Sequence, residues 1–322
     1  SQRLMSQLRL VRSLKAPIVH FHTGNSCLPR STLVALTILR SQPTFVTLQS
    51  PYETIAADSG RARFWAAAAR RRFAAVVSPS DHATSFQARC GIPERLLATV
   101  RNAVDTAKFA DGDGGVARQS LGVGADDPIV LFCSRIDGQK RPLDAVRAFA
   151  LVAGEFPRAT LVMVGRGDLE RDVAAEASRL AVGDRVRLVG YQTNVPDWLA
   201  ASTVWILPTE RENFSVAVLE AMAAGCAVLS TRCPGNDEVL VDEQNSLTVP
   251  VGDVDALATS LRRLLRDDAL RRRLGAAARA TSDRHNVARM VDGYCDLYSR
   301  AAHVPARIQM AREHHVLDGQ QG

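Results

Sequence analysis

The sequence predicts an α/β protein built from two doubly wound domains. Three observations support this. The chain has 322 residues, 46% of them apolar, which exceeds the usual size for one hydrophobic core. Short apolar runs alternate with helical patterns along most of the chain, and a polar, glycine-rich stretch, GDGG at 112–115, separates two such series. Continuous apolar strands alternating with helices are typical of a parallel sheet covered on both faces.

The first series predicts a domain at 1–110. Helices are expected at 2–15, 29–41, 61–72 and 81–90, with the strands PIVHFH, TFVTLQ and AAVVSPS between them. A doubly wound domain ordinarily opens on a strand, a glycine-bearing turn and a helix. Because this chain opens on a helical pattern instead, we expect the first domain to lack its opening units.

The second series predicts a domain at 111–302, followed by a polar tail at 303–322. Its expected strands are PIVLFCSR, ATLVMVGRG, RVRLVGY, TVWILPT, CAVLST and LTVPVGD, and its expected helices are PLDAVRAFALVAGEF, DLERDVAAEASRL, VPDWLAAS and FSVAVLEAMAAG. Ligands of such sheets bind beyond the carboxyl ends of the strands. A cleft between two facing domains is therefore the expected working site.

Charge is distributed unevenly along the chain. Residues 1–110 hold 15 Lys and Arg against 5 Asp and Glu, a net charge of +10, which leaves −4 for the remainder of a chain whose net charge is +6. This asymmetry is compatible with an anionic partner such as nucleic acid, acidic lipid or a phosphorylated substrate, and equally with a solvated basic surface. Nucleic acid ranks last, because no helix-turn-helix or zinc pattern accompanies the arginines.

Cysteine usage and hydropathy restrict the class of protein further. The six cysteines are dispersed, with no CxxC pair and no histidine at metal-ligand spacing, so reduced thiols are expected. No run of 18 uncharged apolar residues and no signal core is present, which favours a cytoplasmic protein.

The stretch ENFSVAVLEA places Glu212 and Glu220 eight positions apart. Eight residues of one helix would turn the two side chains about 80° apart, so the pattern suggests that Glu212 lies in the loop after the strand TVWIL and that the helix begins near Phe214. Ionised carboxylates accept hydrogen bonds from pairs of sugar hydroxyls, and N–H groups at the helix start favour hydroxyl or phosphate oxygens. The alternative is a helix whose first glutamate complements the helix dipole while the second is merely exposed.

The stretch SRIDGQKRP follows the first strand of the second domain and carries Arg135 and Lys140. A turn after this strand can aim both cations into the crevice, where they could balance a diphosphate. The alternative is that both are surface residues. No acidic DxD pair stands at a strand end, so we expect neither a metal ion nor another cofactor.

Together these stretches resemble the retaining nucleotide-sugar glycosyltransferases of family 4, which have the GT-B fold of two facing Rossmann-like domains. The resemblance covers about residues 75–300 and, more thinly, 17–50. It rests on the following segments in their order: SPSDHATSF, VRNAVDTAKF, SRIDGQK, VGRGD, LVGYQTNVPDWLAAS, LPTERENFSVAVLEAMAAGCAVLST and EVLVDEQNSLTVPVGDVDAL. Seven motifs in one order make the resemblance specific for the family, although not for the sugar.

The resemblance implies roles for particular residues. Arg135 and Lys140 are expected to contact the donor diphosphate and Glu220 the ribose hydroxyls. Glu212 is expected to meet the ring hydroxyls of the sugar. A role for Glu212 as a covalent nucleophile is less favoured, because the resemblance implies front-face displacement, in which the leaving diphosphate helps to deprotonate the acceptor. The expected donor-binding residues beside these acids are Asn213, Phe214, Ser215 and Val216.

Several positions depart from the family pattern. Ser215 stands where glycine is usual, and Ala103 replaces the usual glycine of the interdomain segment. Gln49 occupies the place of a histidine close to the reacting centre, and an amide can donate a hydrogen bond but cannot carry a proton. The glycine-rich turn that family members carry near the start is absent before residue 17.

On the acceptor side, His22 and Gln49 are the candidate residues. His20 and His22 share a strand face, for which a structural or acceptor role is favoured over a metal site. The arginine-rich helix at 61–73, RARFWAAAARRRF, could contact an anionic membrane or be a solvated helix packed through its aromatic residues. The first alternative would place the protein peripherally on the inner membrane face.

The leading hypothesis is an enzyme that transfers a hexose-like sugar from a nucleoside-diphosphate sugar to a sugar, lipid or polyol. The alternative is a non-catalytic relative that binds the nucleotide-sugar or serves as a scaffold. A sugar-nucleotide epimerase of the same architecture is a third reading, for which the first domain lacks the expected acid and base residues.

Overall fold

The computed structural model describes residues 17–24, 43–49 and 56–301. The helices expected at 2–15 and 29–41 and the tail at 303–322 lie outside the described residues. The chain divides into two compact units. One runs to Arg101 and resumes at Ala288, and the other comprises Asn102–Val287. These divisions differ from the expected boundaries at residues 110 and 302.

The first unit contains a parallel sheet in the order β1-β2-β3-β4. Its strands are β1 (Val19–Thr23), β2 (Thr44–Leu48), β3 (Ala75–Ser78) and β4 (Leu97–Thr99), and the helices α1 (Gly60–Arg72) and α2 (Asp81–Arg89) flank β3 in the chain. Both helices begin at a serine cap, because Ser59 and Ser80 each accept a hydrogen bond from a main-chain N–H three residues on. β1, β2, β3, α1 and α2 lie where the sequence patterns predict them, whereas β4 was not predicted.

The second unit contains a six-stranded parallel sheet in the order β10-β9-β8-β5-β6-β7. The strands are β5 (Ile129–Cys133), β6 (Thr160–Val164), β7 (Val186–Gly190), β8 (Val204–Leu207), β9 (Val228–Thr231) and β10 (Leu247–Val249). The helices are α3 (Thr106–Ala110), α4 (Gly114–Leu121), α5 (Pro142–Ala153), α6 (Glu170–Arg179), α7 (Val195–Ala201), α8 (Val216–Ala223), α9 (Val254–Arg266) and α10 (Asp268–Ser282). The predicted doubly wound α/β architecture is thus present.

The glycine-rich stretch at 112–115 lies within the second unit and packs closely against α7. A Cβ atom added at Gly112 would lie 2.2 Å from the carbonyl oxygen of Pro196, and one added at Gly114 would lie 2.8 Å from the amide nitrogen of Ala201. Residues before it also belong here, since Val104 and Phe109 are buried in the core of this unit. The glycines therefore permit close packing, whereas their composition predicted a joint between domains.

The last helix of the described residues, α11 (Val287–Ala301), packs in the first unit. Tyr298 contacts the ring of Phe45 in β2 at a centroid distance of 5.1 Å. The Tyr298 hydroxyl also hydrogen-bonds to His20 Nδ1 in β1 (2.5 Å), and His20 Nε2 bonds to Thr47 Oγ1 (2.8 Å). These contacts explain why the chain returns to the first unit at Ala288.

Candidate active site

The candidate site lies where the strand order of the second unit reverses. The chain runs outward from β5 through β6 and β7, and then returns to place β8 on the other side of β5. The loops that follow β5 and β8 therefore diverge from neighbouring strands at the carboxyl edge of the sheet, which is where ligands bind in open α/β sheets. Arg135 and Lys140 follow β5, and Glu212 follows β8.

The two loops are joined by hydrogen bonds around Gln139. Its carbonyl oxygen accepts from the main-chain N–H of Glu210 (2.8 Å) and from Thr209 Oγ1 (3.1 Å). Its side-chain amide donates to the carbonyl of Arg211 (2.9 Å). These three hydrogen bonds hold the segment leading to Lys140 against the segment leading to Glu212.

Lys140 and Glu212 form a buried ion pair. Lys140 Nζ lies 2.5 Å from Glu212 Oε1, and the two side chains are only 9% and 8% exposed. Lys140 ends a 3₁₀ turn, Gly138–Lys140, in which Asp137 Oδ1 accepts a hydrogen bond from the Lys140 main-chain N–H (3.1 Å). An ammonium group has three donors, so a pair with one carboxylate still permits contact with a phosphate oxygen.

Arg135 occupies the same loop but is not part of this pair. Its guanidinium forms an ion pair with Asp137, and its side chain is 66% exposed. Asp137 therefore contacts both residues: Oδ2 pairs with the Arg135 guanidinium, and Oδ1 accepts from the Lys140 main-chain N–H. This residue was missed at the sequence level, although an aspartate three residues before a lysine after a strand is a recognisable turn cap.

Helix α8 begins two residues later than the pattern predicts. Ser215 is the N-cap, and its hydroxyl accepts from the main-chain N–H of Val218 (3.4 Å). Asn213, Phe214 and Ser215 are buried, whereas Val216 is 42% exposed. The serine at the usual glycine position thus supplies a helix cap, which explains why the helix starts at Val216.

Glu220 projects from the second turn of α8 and lies in an environment that favours its neutral form. Burial raises the pKa of its carboxyl to about 7, and the positive charge of Lys108 opposes this rise. Lys108 belongs to α3 and also lines a cavity of about 540 Å³. The other residues that line this cavity are Asp105, Ala107, Asp111, Thr193, Asn194, Pro196 and Asp197.

Lys108 was also missed, because the sequence pattern assigned it to the first domain. The structure places α3 in the second unit. Lys108 of α3 lines the cavity together with Thr193 and Asn194, which belong to the loop that follows β7. The resemblance segment VRNAVDTAKF contains this lysine, but no feature of its spacing predicts that it acts on Glu220.

The candidate acceptor-side residues lie in the first unit. The side chains of His22, in β1, and Gln49, directly after β2, are exposed, and the Gln49 main-chain N–H donates to the carbonyl of Thr23 (2.8 Å). The His22 ring stacks on that of His20, at a centroid distance of 4.3 Å. Both candidates therefore lie at the carboxyl edge of their sheet.

Two absences hold for the part of the chain that the structure describes. Within residues 17–24, 43–49 and 56–301, no three histidine, cysteine, aspartate or glutamate side chains are grouped so that they could hold a metal ion. Over the same ranges, no helix has the length and apolar character needed to cross a bilayer.

Comparison with known families decides the classification. The profile described as "Glycosyl transferases group 1" matches residues 116–281, which contain Arg135, Lys140, Glu212 and Glu220. The chain belongs to this family. The match spans the second unit from α4 to α10, so the family assignment rests on the same sheet and loops that form the candidate site.

Curated relatives of the group 1 family match this chain over about half of their own length. N-acetyl-alpha-D-glucosaminyl L-malate synthase of Bacillus anthracis is 32% identical over 187 residues, which are 58% of this chain and 49% of the relative. D-inositol 3-phosphate glycosyltransferase of Streptomyces avermitilis is 30% identical over 253 residues, which are 74% of this chain and 54% of the relative.

Solved structures show the same GT-B fold. HepE of Anabaena, crystallised with UDP and glucose, superposes with a TM-score of 0.81 at 19% identity, over 93% of this chain and 81% of HepE. Sucrose-phosphate synthase of Thermosynechococcus elongatus superposes with a TM-score of 0.77 at 21% identity, over 93% of this chain and 77% of the synthase. The predicted α/β GT-B fold and membership of the group 1 glycosyltransferases are therefore confirmed, whereas family 4 and the retaining mechanism stay predictions.

Proposed function

We propose that this protein is a retaining glycosyltransferase that transfers a sugar from a nucleoside-diphosphate sugar to a sugar, lipid or polyol acceptor. The observation that carries the proposal is the buried Lys140–Glu212 pair at the point where the strand order reverses. A lysine held beside an acid suits a ligand that joins an anionic phosphate to a hydroxyl-rich ring. The family and the UDP complexes of HepE support a nucleotide-linked donor.

In this proposal the donor lies along the carboxyl edge of the second sheet. Lys140 and Arg135 balance the diphosphate, Glu212 accepts hydrogen bonds from the sugar, and Glu220 accepts them from the ribose. The adjacent 540 Å³ cavity, lined by Lys108, then receives part of the nucleoside. The main-chain N–H groups at the start of α8, around Asn213 to Val216, add donors for sugar or phosphate oxygens.

The proposed reaction is a front-face displacement. The bond between the anomeric carbon and the β-phosphate oxygen breaks, and the acceptor hydroxyl oxygen bonds to the same face of that carbon. The proton of the acceptor passes to the departing diphosphate, so no protein base is required at the position of Gln49. Positive charge from Arg135 and Lys140 stabilises the diphosphate as it leaves.

The first test is a thermal-shift screen with UDP, GDP, ADP and their sugars, because a ligand that binds the native state raises the melting temperature. The stabilising nucleotide-sugar is then incubated with sugar, lipid and polyol acceptors, and the anomeric configuration of the product is read by NMR. An inverted product would refute the retaining reaction. A thermal shift without transfer would instead favour the non-catalytic relative, and release of an epimerised sugar would favour an epimerase.

Arg135→Ala tests the role of the basic loop. Because this side chain is mostly exposed, its removal should leave the melting temperature within a few degrees and lower turnover by roughly 100-fold through loss of diphosphate stabilisation. Arg158→Ala is the matched control, since Arg158 is 71% exposed and also pairs with an aspartate, Asp127. Normal turnover in Arg135→Ala would remove this residue from the site.

We further propose that α1 touches an anionic membrane surface. The helix carries five arginines and no acidic residue, and Phe64 is 49% exposed, whereas Trp65 is buried and donates its Nε1–H to Gln87 (3.0 Å). Basic residues on a helix with an exposed aromatic side chain favour anionic headgroups, by about 1 kcal/mol per charge near the surface.

Vesicle sedimentation tests this contact. The protein should bind phosphatidylglycerol vesicles and not phosphatidylcholine vesicles, and Arg61→Glu with Arg63→Glu should abolish the binding. Arg158→Glu, in the second unit, is the control for added negative charge. Equal binding by the double variant and the wild type would show that α1 is not the contact.

A further inference from the structure

Phe214 has a main-chain conformation that its side chain disfavours. Its φ angle is +142°, in a region that bulky L-residues rarely adopt. The residue lies between Glu212 and the N-cap of α8, and its side chain is 2% exposed. Such a strained residue persists only where surrounding contacts hold it in place, and strained residues of this kind cluster at functional sites.

Two side chains from distant parts of the chain hold Phe214. Asn102 Nδ2 donates a hydrogen bond to the Phe214 carbonyl (2.9 Å). The His285 ring packs edge-on against the Phe214 ring, with centroids 5.2 Å apart and planes at 64°. One contact fixes the main chain and the other fixes the side chain, so together they restrain both ends of the residue.

The segments that carry Asn102 and His285 are themselves joined. The Val104 main-chain N–H donates to the His285 carbonyl (3.0 Å), and Val104 forms an isolated parallel bridge with Asn286. Asn102 is the first residue of the second unit, and His285 lies close to its last residue, Val287. The two contacts on Phe214 therefore come from one hydrogen-bonded pair of segments, residues 102–104 and 285–286, at the two ends of this unit. We call this pair of segments the ledge.

Gly235 packs against the turn through the residues before Phe214. Its φ angle is +88°, and a Cβ atom at this position would lie 2.6 Å from the Glu212 carbonyl oxygen and 2.9 Å from the Asn213 carbonyl carbon. Only glycine allows this approach. The turn at residues 212–215 is thus held at Glu212 and Asn213 by the loop after β9, and at Phe214 by the ledge.

We infer that Asn102 and His285 are positioning residues that hold the 212–215 turn in the strained conformation required for donor binding. This inference rests on the proposed function, in which Glu212 and the N–H groups at the start of α8 contact the sugar. Neither residue needs to touch the donor. Their effect passes through Phe214 to the groups on either side of it, which must be fixed to within a fraction of an ångström for efficient transfer.

Hydrogen exchange tests the restraint directly, without any ligand. Asn102→Asp keeps the size of the side chain but replaces the donating amide with an acceptor. In this variant, the peptide that covers residues 212–220 should exchange about tenfold faster than in the wild type, because loss of one half-buried hydrogen bond changes an opening equilibrium by roughly that factor. Asn286→Asp is the matched control: it adds the same charge on the same ledge, but its Nδ2 donates to the Asp283 carbonyl.

Kinetics with the His285 variants test the consequence. His285→Phe keeps a ring against Phe214, whereas His285→Ala removes it. With whichever of UDP-glucose, UDP-N-acetylglucosamine, GDP-mannose or ADP-glucose stabilises the wild type, His285→Ala and Asn102→Asp should lower kcat about tenfold, and His285→Phe should retain most of it. The affinity for the matching nucleoside diphosphate, which lacks the sugar, should change by less than about threefold, since a misplaced turn disturbs mainly the contacts to the sugar.

The outcomes separate this inference from the proposed function. Unchanged exchange at 212–220 in Asn102→Asp would overturn the restraint, and so would a uniform loss of melting temperature, kcat and nucleotide affinity, which indicates general unfolding. If no nucleotide-sugar binds the wild type, the proposed function fails, while the exchange comparison still decides whether Asn102 holds the turn.

Discussion

At the scale of single residues, the Lys140–Glu212 pair is the group whose energetics the structure defines most clearly. Both side chains are buried, so both charges lose their contact with water. The free-energy cost of this desolvation is offset only if the two charges are in close contact and their remaining hydrogen-bonding groups are satisfied. Buried pairs of this kind are weak evidence for stability. A functional requirement for both charges is a physically reasonable cause of their presence.

Removal of one partner should therefore be more damaging than removal of both. Lys140→Met leaves Glu212 as an unpaired buried carboxylate, and should lower the free energy of unfolding by about 3–5 kcal/mol. The double variant Lys140→Met with Glu212→Leu should recover most of this loss, while showing no transfer activity. Urea denaturation of the single and double variants measures the coupling, and additive losses would show that the two side chains act independently.

Nucleotide binding should depend on the protonation of Glu220. Because burial raises the pKa of this carboxyl to about 7, it loses its proton as the pH rises from about 6 to 8. The ribose hydroxyls require an acceptor, so the affinity for a nucleoside diphosphate should rise over this range. Calorimetry at several pH values measures it, and Glu220→Gln should remove the part of the pH dependence that comes from the protein rather than from the phosphate.

Lys108→Met provides a second variant for the same prediction. Lys108 lowers the pKa of Glu220, so its removal should move the midpoint of the affinity profile to higher pH. Glu220→Ala should weaken nucleotide binding by about 1–3 kcal/mol at pH 8 through loss of the acceptor. An unchanged affinity in folded Glu220→Ala would remove the ribose role.

At the scale of secondary-structure elements, the docking of α11 on β1 and β2 depends on neutral His20. Burial, followed by the charge of His22, lowers the pKa of His20 to about 4. The side chain bonds to Tyr298 and Thr47, and the Thr47 hydroxyl is also bonded to Tyr294 (3.2 Å). Burial raises the pKa of both tyrosines, so these phenols remain neutral near neutrality and act only as hydrogen-bonding groups.

The sign of the pH effect follows from the lowered pKa. Between pH 6.5 and about 4 the unfolded chain binds a proton at His20 that the folded chain excludes, so stability is complete above pH 6.5 and falls with pH. At pH 5 the expected loss is about 1 kcal/mol, because solvent screens the half-buried ring and reduces the full effect of the shift. His20→Gln should show a smaller loss between pH 8 and pH 5 than the wild type in denaturant titrations, with His82→Gln as the control for an imidazole on α2. An equal loss in His20→Gln and the wild type would refute this role.

Short-range sequence patterns predicted most elements but not all of their ends. Apolar runs located β2, β3 and the strands of the second sheet, because buried parallel strands must be apolar on both faces. The start of α8 was placed two residues early, since the pattern of apolar residues does not register that the Ser215 hydroxyl caps the helix. Helix ends depend on such single hydrogen bonds, which periodicity does not encode.

At the scale of the whole molecule, every residue of the proposed donor site belongs to one continuous segment. The second unit spans Asn102–Val287 and has its own hydrophobic core, whose buried members lie between Val104 and Ala278. A continuous segment with its own core can in principle fold alone.

We therefore expect residues 102–287, expressed alone, to unfold cooperatively and to bind a nucleoside diphosphate within about tenfold of the affinity of the full chain. Calorimetry measures the affinity, and Glu220→Ala in the same segment is the control for specific binding. A cooperative melt without nucleotide binding would place an essential part of the donor site outside the second unit.

The sequence by itself predicted the fold class, the glycosyltransferase family and four charged residues of the candidate site, Arg135, Lys140, Glu212 and Glu220, but neither Asp137 nor Lys108. These depend on hydrophobic periodicity and on motifs whose members lie within a few residues of one another, so local chemistry is sufficient. The segments that carry Arg135, Lys140 and Glu212 follow two strands, and neighbouring parallel strands bring their carboxyl ends to one edge.

Only the tertiary structure decided which distant parts of the chain meet. It placed Lys108 beside Glu220, Asn102 and His285 against Phe214, and α11 on the sheet that contains His20. An amphipathic helix or a lone polar residue has the same local signature whichever partner it packs against. Its partner is chosen by the shape and burial of surfaces formed by residues up to 278 positions away, as in the contact between His20 and Tyr298.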